Sequence, residues 1–203
     1  MSGRFIALEG IDGSGKSTQA RMLADALEAA GRAVLRTREP GGTPVGELIR
    51  DVVLAAPSLS MSLLAEVHLF AASRAEHVAT VLRPALEQGT WVVSDRFVDS
   101  SLAFQGAGRG FGIDAVWDLN RAAVDGVLPD VAVAIVVPVP LAASRRAPSP
   151  DRIEAEGEGF HLRVAEGYRE LAERFPGRVR LVDGVGTPDE VHARVLAVVE
   201  GLA

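Results

Sequence analysis

The segment Gly10-Ile-Asp-Gly-Ser-Gly15-Lys16-Ser17 constrains this chain more than any other stretch. It fits G-x-x-x-x-G-K-[ST], with a short apolar run (Arg4 to Glu9) before it and a helical pattern after it. In that pattern Met22, Leu23, Ala26, Leu27 and Ala30 recur at helical spacing, and Gly31 closes it. A strand–turn–helix of this kind aims converging backbone N–H groups at an anion. Glycine carries no Cβ to block them, and the helix N-terminus adds positive potential. Lys16 is expected to reach the β- and γ-phosphates of a nucleoside triphosphate, and Ser17 to hold Mg²⁺. Gly10, Asp12, Gly13, Ser14, Gly15 and Thr18 complete the candidate triphosphate-binding set. The bland alternative is a glycine-rich turn that opens a helix and binds nothing. Composition argues against it. Of the 21 basic residues, 20 are Arg and the only lysine is Lys16. The one position that kept a compact ammonium is the motif's own.

The rest of the chain alternates short apolar runs with helical patterns. Strands are expected at Arg4–Glu9, Ala33–Arg36, Thr90–Ser94, Asp130–Val137 and Val179–Val182. Helices are expected over Val45–Ala55, Ser60–Leu82 (continuing past Pro84 with a kink), His161–Phe175 and Pro188–Leu202, the last with Thr187 as N-cap. Gly106–Gly112 is expected to separate two further helices. This order predicts an α/β fold: a five-stranded parallel sheet with helices on both faces, as one domain over 1–203. The polar stretch Ala147–Gly159, with Pro148 and Pro150, reads as a mobile loop, and the short lid it implies spans about 144–158.

Several functions are excluded or disfavoured. The net charge of −6 argues against broad nucleic-acid binding. No apolar run approaches the ~20 residues of a membrane span. No cysteine is present, so disulfides and thiolate chemistry are absent. No basic-then-apolar stretch opens the chain, and the expected compartment is the cytoplasm. His68, His77, His161 and His192 show no metal-ligand spacing and read as structural or exposed.

Asp95 ends the strand Trp91-Val-Val-Ser94, where an acidic residue is the usual Mg²⁺ partner of the loop serine. Arg96 follows it, so one strand end offers groups for a metal and a phosphate. GTPases read guanine with an Asn-Lys-x-Asp segment, which a chain without lysine after position 16 cannot contain. The length suits a small kinase, which must neutralise several phosphates and exclude water during transfer. Arg38, Arg50, Arg74, Arg96, Arg145, Arg146 and Arg152 lie in or near the expected loops and helix ends.

Thr37-Arg-Glu-Pro-Gly-Gly-Thr43, Phe70-Ala-Ala-Ser-Arg74, Asp95-Arg96-Phe97, Ser100-Ser-Leu-Ala-Phe-Gln-Gly106 and Asp151-Arg-Ile-Glu154 resemble the signature segments of bacterial thymidylate kinases, in order and at about the family's spacing. The resemblance runs from Phe5 to about Val191. It implies a nucleoside monophosphate kinase fold of the phosphate-loop type and a homodimer. It also implies transfer of the ATP γ-phosphate to dTMP, giving dTDP, with Mg²⁺. By resemblance, Asp12 contacts the deoxyribose 3′-hydroxyl and Phe70 stacks on thymine. Arg74 bonds a thymine carbonyl, and Ser101, Phe104 and Gln105 lie near the base. Arg50 and Arg96 hold the acceptor phosphate, and Glu39 and Pro40 belong to the segment lining that site. Ser17 and Asp95 are the metal residues. The loop carries no Arg at its variable positions, so catalytic charge is expected from the lid, with Arg146 and Arg152 as candidates; which of Arg145 and Arg146 matches the family position stays open. Lys16, Asp95, Arg96 and Arg152 form the expected catalytic set. Three departures stand out: Val137 replaces a common Asp before Pro138, and Phe97 and Phe104 stand where Tyr is common. Two alternatives remain at this point: another nucleotide or nucleoside kinase, or a nucleotide-binding regulator without catalysis.

Overall fold

The computed structural model of the chain describes residues 3–55, 58–146 and 149–202. Five parallel strands lie in the order β2-β3-β1-β4-β5: β1 (Phe5–Glu9), β2 (Val34–Arg38), β3 (Trp91–Asp95), β4 (Val131–Val136) and β5 (Val179–Asp183). The central strands are apolar throughout because helices cover both faces. Successive side chains alternate between those faces. Ile6 and Leu8 pack with Val133 and Ile135 under α1 (Lys16–Ala29) and α9 (Pro188–Glu200). Phe5 and Ala7 pack with Val92 and Ala132 on the opposite side. That side is covered by α3 (Leu63–His77), α6 (Ile113–Val124) and α8 (Glu158–Arg174). The shorter helices are α2 (Pro44–Val53), α4 (Arg83–Glu87), α5 (Val98–Ser101) and α7 (Val139–Ser144). Among the described residues, no helix is long and apolar enough to cross a membrane.

The five expected strands and the Thr187 N-cap are present, the latter as a capping box with Glu190. Other expectations need correction. β2 runs past the expected end at Arg36 to take in Thr37 and Arg38, because they pair in register with Ser94 and Asp95 of β3. The long helix expected over Ser60–Leu82 begins at Leu63, where the Ser62 side chain accepts from Ala65 N. Before Pro84, which offers no N–H, the chain widens into a π-helical turn at Val78–Leu82 rather than a simple kink. The break expected over Gly106–Gly112 falls at residues 109–112, before α6; Gly106 and Gly108 sit inside a second π-helical turn, Leu102–Gly108, that continues α5. Gly108 permits close approach there, since a Cβ would lie 2.6 Å from the Val164 side chain of α8. Val137 is buried in the core.

The stretch expected as a mobile loop includes residues 147–148, which lie outside the described residues. Residues 151–156 form a compact turn: Asp151 Oδ1 accepts from Ile153 N and Glu154 N at 2.8 Å. Arg152 N donates to Ala55 O at 3.1 Å, tying this turn to the end of α2.

Candidate active site

The C-terminal ends of β1 and β3 meet at the point where the chain has crossed to the other side of β1, the usual place for a ligand crevice in an open parallel sheet. The loop after β1 is seated tightly. Gly13 has φ 86°, and a Cβ there would lie 2.1 Å from Ala142 O of α7. Gly15 has φ 99° and caps α1 with no side-chain bond, so the first-turn N–H groups of this helix remain available to an anion. Lys16 Nζ donates to Ile11 O at 3.0 Å and lies 3.7 Å from Asp12 Oδ1. Burial, then the nearby Arg96 charge, lower its pKa. Ser17 Oγ donates to Asp95 Oδ2 at 2.5 Å, joining the two residues expected to share a metal. Thr18 is exposed on the first turn of α1.

Arg96 holds the loop to the acceptor side. It adopts φ 75°, rare for a side-chain-bearing residue and typical of constrained functional positions. Its Nη1 donates to Gly10 O and to Ser100 Oγ, both at 2.9 Å, and its Nη2 pairs with Asp12 Oδ1. Its guanidinium lies 4.7 Å from the centre of the Phe104 ring. Burial alone would raise the Asp12 pKa, but Arg96 and Lys16 outweigh it and hold that carboxyl at about 2. Burial likewise opposes the Arg96 charge, and Asp12, Tyr168 and Asp95 more than offset it, raising the guanidinium pKa.

A cleft of about 230 Å³ opens beside this pair, lined by Asp12, Arg50, Phe70, Arg74, Phe104 and Gln105 among others. Phe70 and Arg74 are four residues apart on α3 and so share a face. Arg74 is 1% exposed and nearly saturated. Its Nε donates to Glu39 Oε2 at 2.9 Å, its Nη1 to Asn120 Oδ1, and its Nη2 to Phe97 O at 3.2 Å and Ser101 Oγ at 3.1 Å. Four of the five N–H donors are occupied, which leaves one on Nη1. Glu39 is held on its other oxygen by His77 Nδ1 at 3.0 Å, and His77 Nε2 meets the Thr37 hydroxyl at 2.7 Å. Arg50 Nη1 donates to Pro40 O at 2.9 Å, fixing its reach into the cleft.

The two lid candidates part company. Arg146 Nε donates to Asp12 O at 3.2 Å and its Nη1 to Glu154 O at 3.3 Å and His161 Nε2 at 2.9 Å, so it reaches the phosphate loop. Its Nη2 is buried without a hydrogen-bond partner among the described residues. Arg145 is exposed. Arg152, expected at the transferred phosphate, is held instead by Glu66 Oε2 at 2.6 Å and Val53 O at 3.0 Å. Its neighbours Asp151, Ile153 and Glu154 line the cleft; its own side chain does not.

Sequence reasoning missed an inner set. Glu9 is fully buried and accepts from Phe97 N at 2.8 Å, Ser100 Oγ at 2.5 Å and Tyr168 OH at 3.1 Å. Burial, then the Asp99 charge, push its carboxyl up to about 7. A lone acid in an otherwise apolar strand was the available signal. Asn120 and Tyr168 gave none, since each sits in an ordinary helical pattern.

Comparison with known proteins accords with this geometry. A family model described as thymidylate kinase matches residues 8–195. A thymidylate kinase of Rhizorhabdus wittichii is 47% identical over 200 residues, covering 97% of this chain and 96% of that protein. One from Pelotomaculum thermopropionicum is 46% identical over 203 residues, covering 98% and 94%. The crystal structure of thymidylate kinase from Ehrlichia chaffeensis superposes with a TM-score of 0.80 at 32% identity, covering 98% of this chain and 99% of that one. A phosphate loop facing an arginine-lined cleft, matched along nearly the whole chain, places this protein in the thymidylate kinase family.

Proposed function

We propose that the protein transfers the γ-phosphoryl group of ATP to dTMP, giving dTDP and ADP. The observation that carries this reading is the cleft itself: Phe70, Arg74 and Gln105 at one end and Arg50, Arg96 and Asp12 at the other, beside Lys16. The first group suits a planar base and the second a sugar and its phosphate. Neither a regulator that only binds nucleotide nor a kinase for another base is favoured by that set.

The reaction asks little acid–base chemistry of the protein. The acceptor is a phosphate oxygen, already largely ionised at neutral pH. It forms the new P–O bond as the bond between the γ-phosphorus and its bridging oxygen breaks, and ADP carries away the electron pair. Catalysis is then positioning and charge stabilisation. The loop amides, the N-terminus of α1 and Lys16 hold the triphosphate; Gly10, Gly13, Ser14, Gly15, Ser17 and Thr18 belong to this cradle. Arg96 and Arg50 hold the acceptor phosphate, and Phe70 stacks on the base. The free N–H of Arg74 bonds a base carbonyl, while Ser101 and Glu39 fix that guanidinium. Asp12, ionised at neutral pH, accepts from a sugar hydroxyl. Arg146, supported by His161, supplies lid charge near the β- and γ-phosphates in a segment proposed to span about 144–158; Arg152 anchors that segment.

The Ser17 hydroxyl and Asp95 carboxylate are adjacent hard oxygen donors at the loop mouth, and they fit Mg²⁺, which prefers a few protein oxygens supplemented by phosphates and water. Held by these two residues, the ion would neutralise negative charge that develops on the phosphates in transfer.

We further read the chain as a single kinase domain that works as a cytoplasmic homodimer and binds neither nucleic acid nor membrane. Support for the dimer comes from exposed Val45, Leu48 and Val52 on α2 and Leu64 on α3, next to exposed Ala72 and Ala75. Leu48→Glu is expected to shift the species seen by sedimentation from dimer to monomer; an unchanged mass would place the interface elsewhere.

The function is tested by a coupled assay with ATP, Mg²⁺ and a panel of monophosphates. dTMP should be turned over best and dUMP next, since a missing methyl costs only about 1–3 kcal/mol. Faster turnover of CMP or AMP would refute the assignment.

A further inference from the structure

Glu66 lies on α3 one turn before Phe70 and two before Arg74, on the face that looks toward the cleft, yet it does not line the cleft. It is 1% exposed. Its Oε1 accepts from Gln105 Nε2 at 2.8 Å and Arg109 Nε at 3.2 Å, and its Oε2 accepts from Arg152 Nη1 at 2.6 Å. A buried carboxylate with two guanidinium partners stays ionised. Burial alone would raise its pKa, but the bonds from Gln105 and Arg152 outweigh it and lower it. An ionised carboxylate only accepts hydrogen bonds. The Gln105 amide therefore has one allowed orientation: nitrogen toward Glu66, which takes one of its two N–H groups, and the carbonyl oxygen left as its free acceptor.

We propose that Glu66 is a positioning residue that sets base selectivity by fixing the Gln105 amide. A carbonyl held in that sense accepts from the imide N–H of a 2,4-dioxopyrimidine. It meets the bare ring nitrogen of a 4-aminopyrimidine lone pair to lone pair. The same carboxylate anchors Arg152, so the turn that walls the cleft through Asp151, Ile153 and Glu154 is tied to the group that orients the base reader. This inference rests on the acceptor reading above and adds to it the residue that decides which pyrimidine is taken.

The test compares wild type, Glu66→Gln and Gln105→Leu with dTMP and dCMP as acceptors. Glu66→Gln keeps the shape but can donate as well as accept, which frees the Gln105 amide to turn over. Its kcat/KM ratio for dTMP over dCMP should fall by at least about tenfold, through KM more than kcat. Gln105→Leu should narrow the ratio to a similar extent, and the double variant should add little to either. That second arm carries the test if Glu66→Gln folds poorly. An unchanged ratio in Glu66→Gln, with turnover of both acceptors lowered together, would mean Glu66 only stabilises the fold and would overturn the proposal, whatever Gln105→Leu does. Wild type that converts neither dTMP nor dUMP would instead refute the function and this inference with it.

Discussion

Lys16→Ala is expected to lower kcat by on the order of a thousandfold, the scale of losing a preorganised charge aimed at a transferring phosphoryl group. The expectation follows from where the ammonium sits. It is buried at the base of the loop, 3.0 Å from Ile11 O and 3.7 Å from Asp12. The fold should survive, because Asp12 keeps its Arg96 partner and the loop keeps its glycine geometry. Affinity for dTMP should change little, since the side chains proposed to recognise the base lie on α3 and the π-helical turn after α5. Lys16→Arg should not rescue activity: a planar fork cannot reproduce a point charge in that space. Steady-state kinetics with thermal unfolding checks this. A loss of activity that simply tracks a loss of folded protein would contradict it.

Arg74→Met should have the largest effect on stability. The substitution strands Glu39, which is 4% exposed, with only His77 as a side-chain partner, and removes the bonds to Asn120, Phe97 O and Ser101. Breaking a buried pair from one side costs roughly 3–5 kcal/mol. For a chain of this size that is on the order of 10 °C in Tm. The dTMP KM should rise as well, because the proposed function assigns the remaining Arg74 N–H to a base carbonyl. Differential scanning calorimetry and dTMP saturation curves measure the two effects. A variant with wild-type Tm would show that the network around Glu39 is not the scaffold of the cleft.

The phosphate loop was legible because its chemistry is local: Gly10 to Ser17 supply the turn, the amides and the ammonium within eight residues. The sheet was legible because β1, β3 and β4 are buried on both faces and read as apolar runs. The surroundings of Arg152 were not legible for the opposite reason. An arginine beside Asp151 in a polar stretch looks like a mobile charge, and only the fold reveals a buried carboxylate on α3 waiting for it. Glu66 lies 86 positions away in sequence. Glu9, Asn120 and Tyr168 escaped in the same way, since the carboxylate or guanidinium contacts that mark them form only after distant segments pack together. The π-helical turns at Val78–Leu82 and Leu102–Gly108 were invisible too, because a wider turn leaves the apolar spacing nearly that of an α-helix.

In the proposed reaction Lys16 and the loop amides deliver a γ-phosphoryl group across to an acceptor held by Arg96 and Phe70. The most direct measurement is a single-turnover reaction with γ-labelled ATP, Mg²⁺ and dTMP, with products separated by charge. The label should appear in dTDP at the rate at which ATP is lost. Label released as inorganic phosphate while dTMP remains unconverted would contradict it.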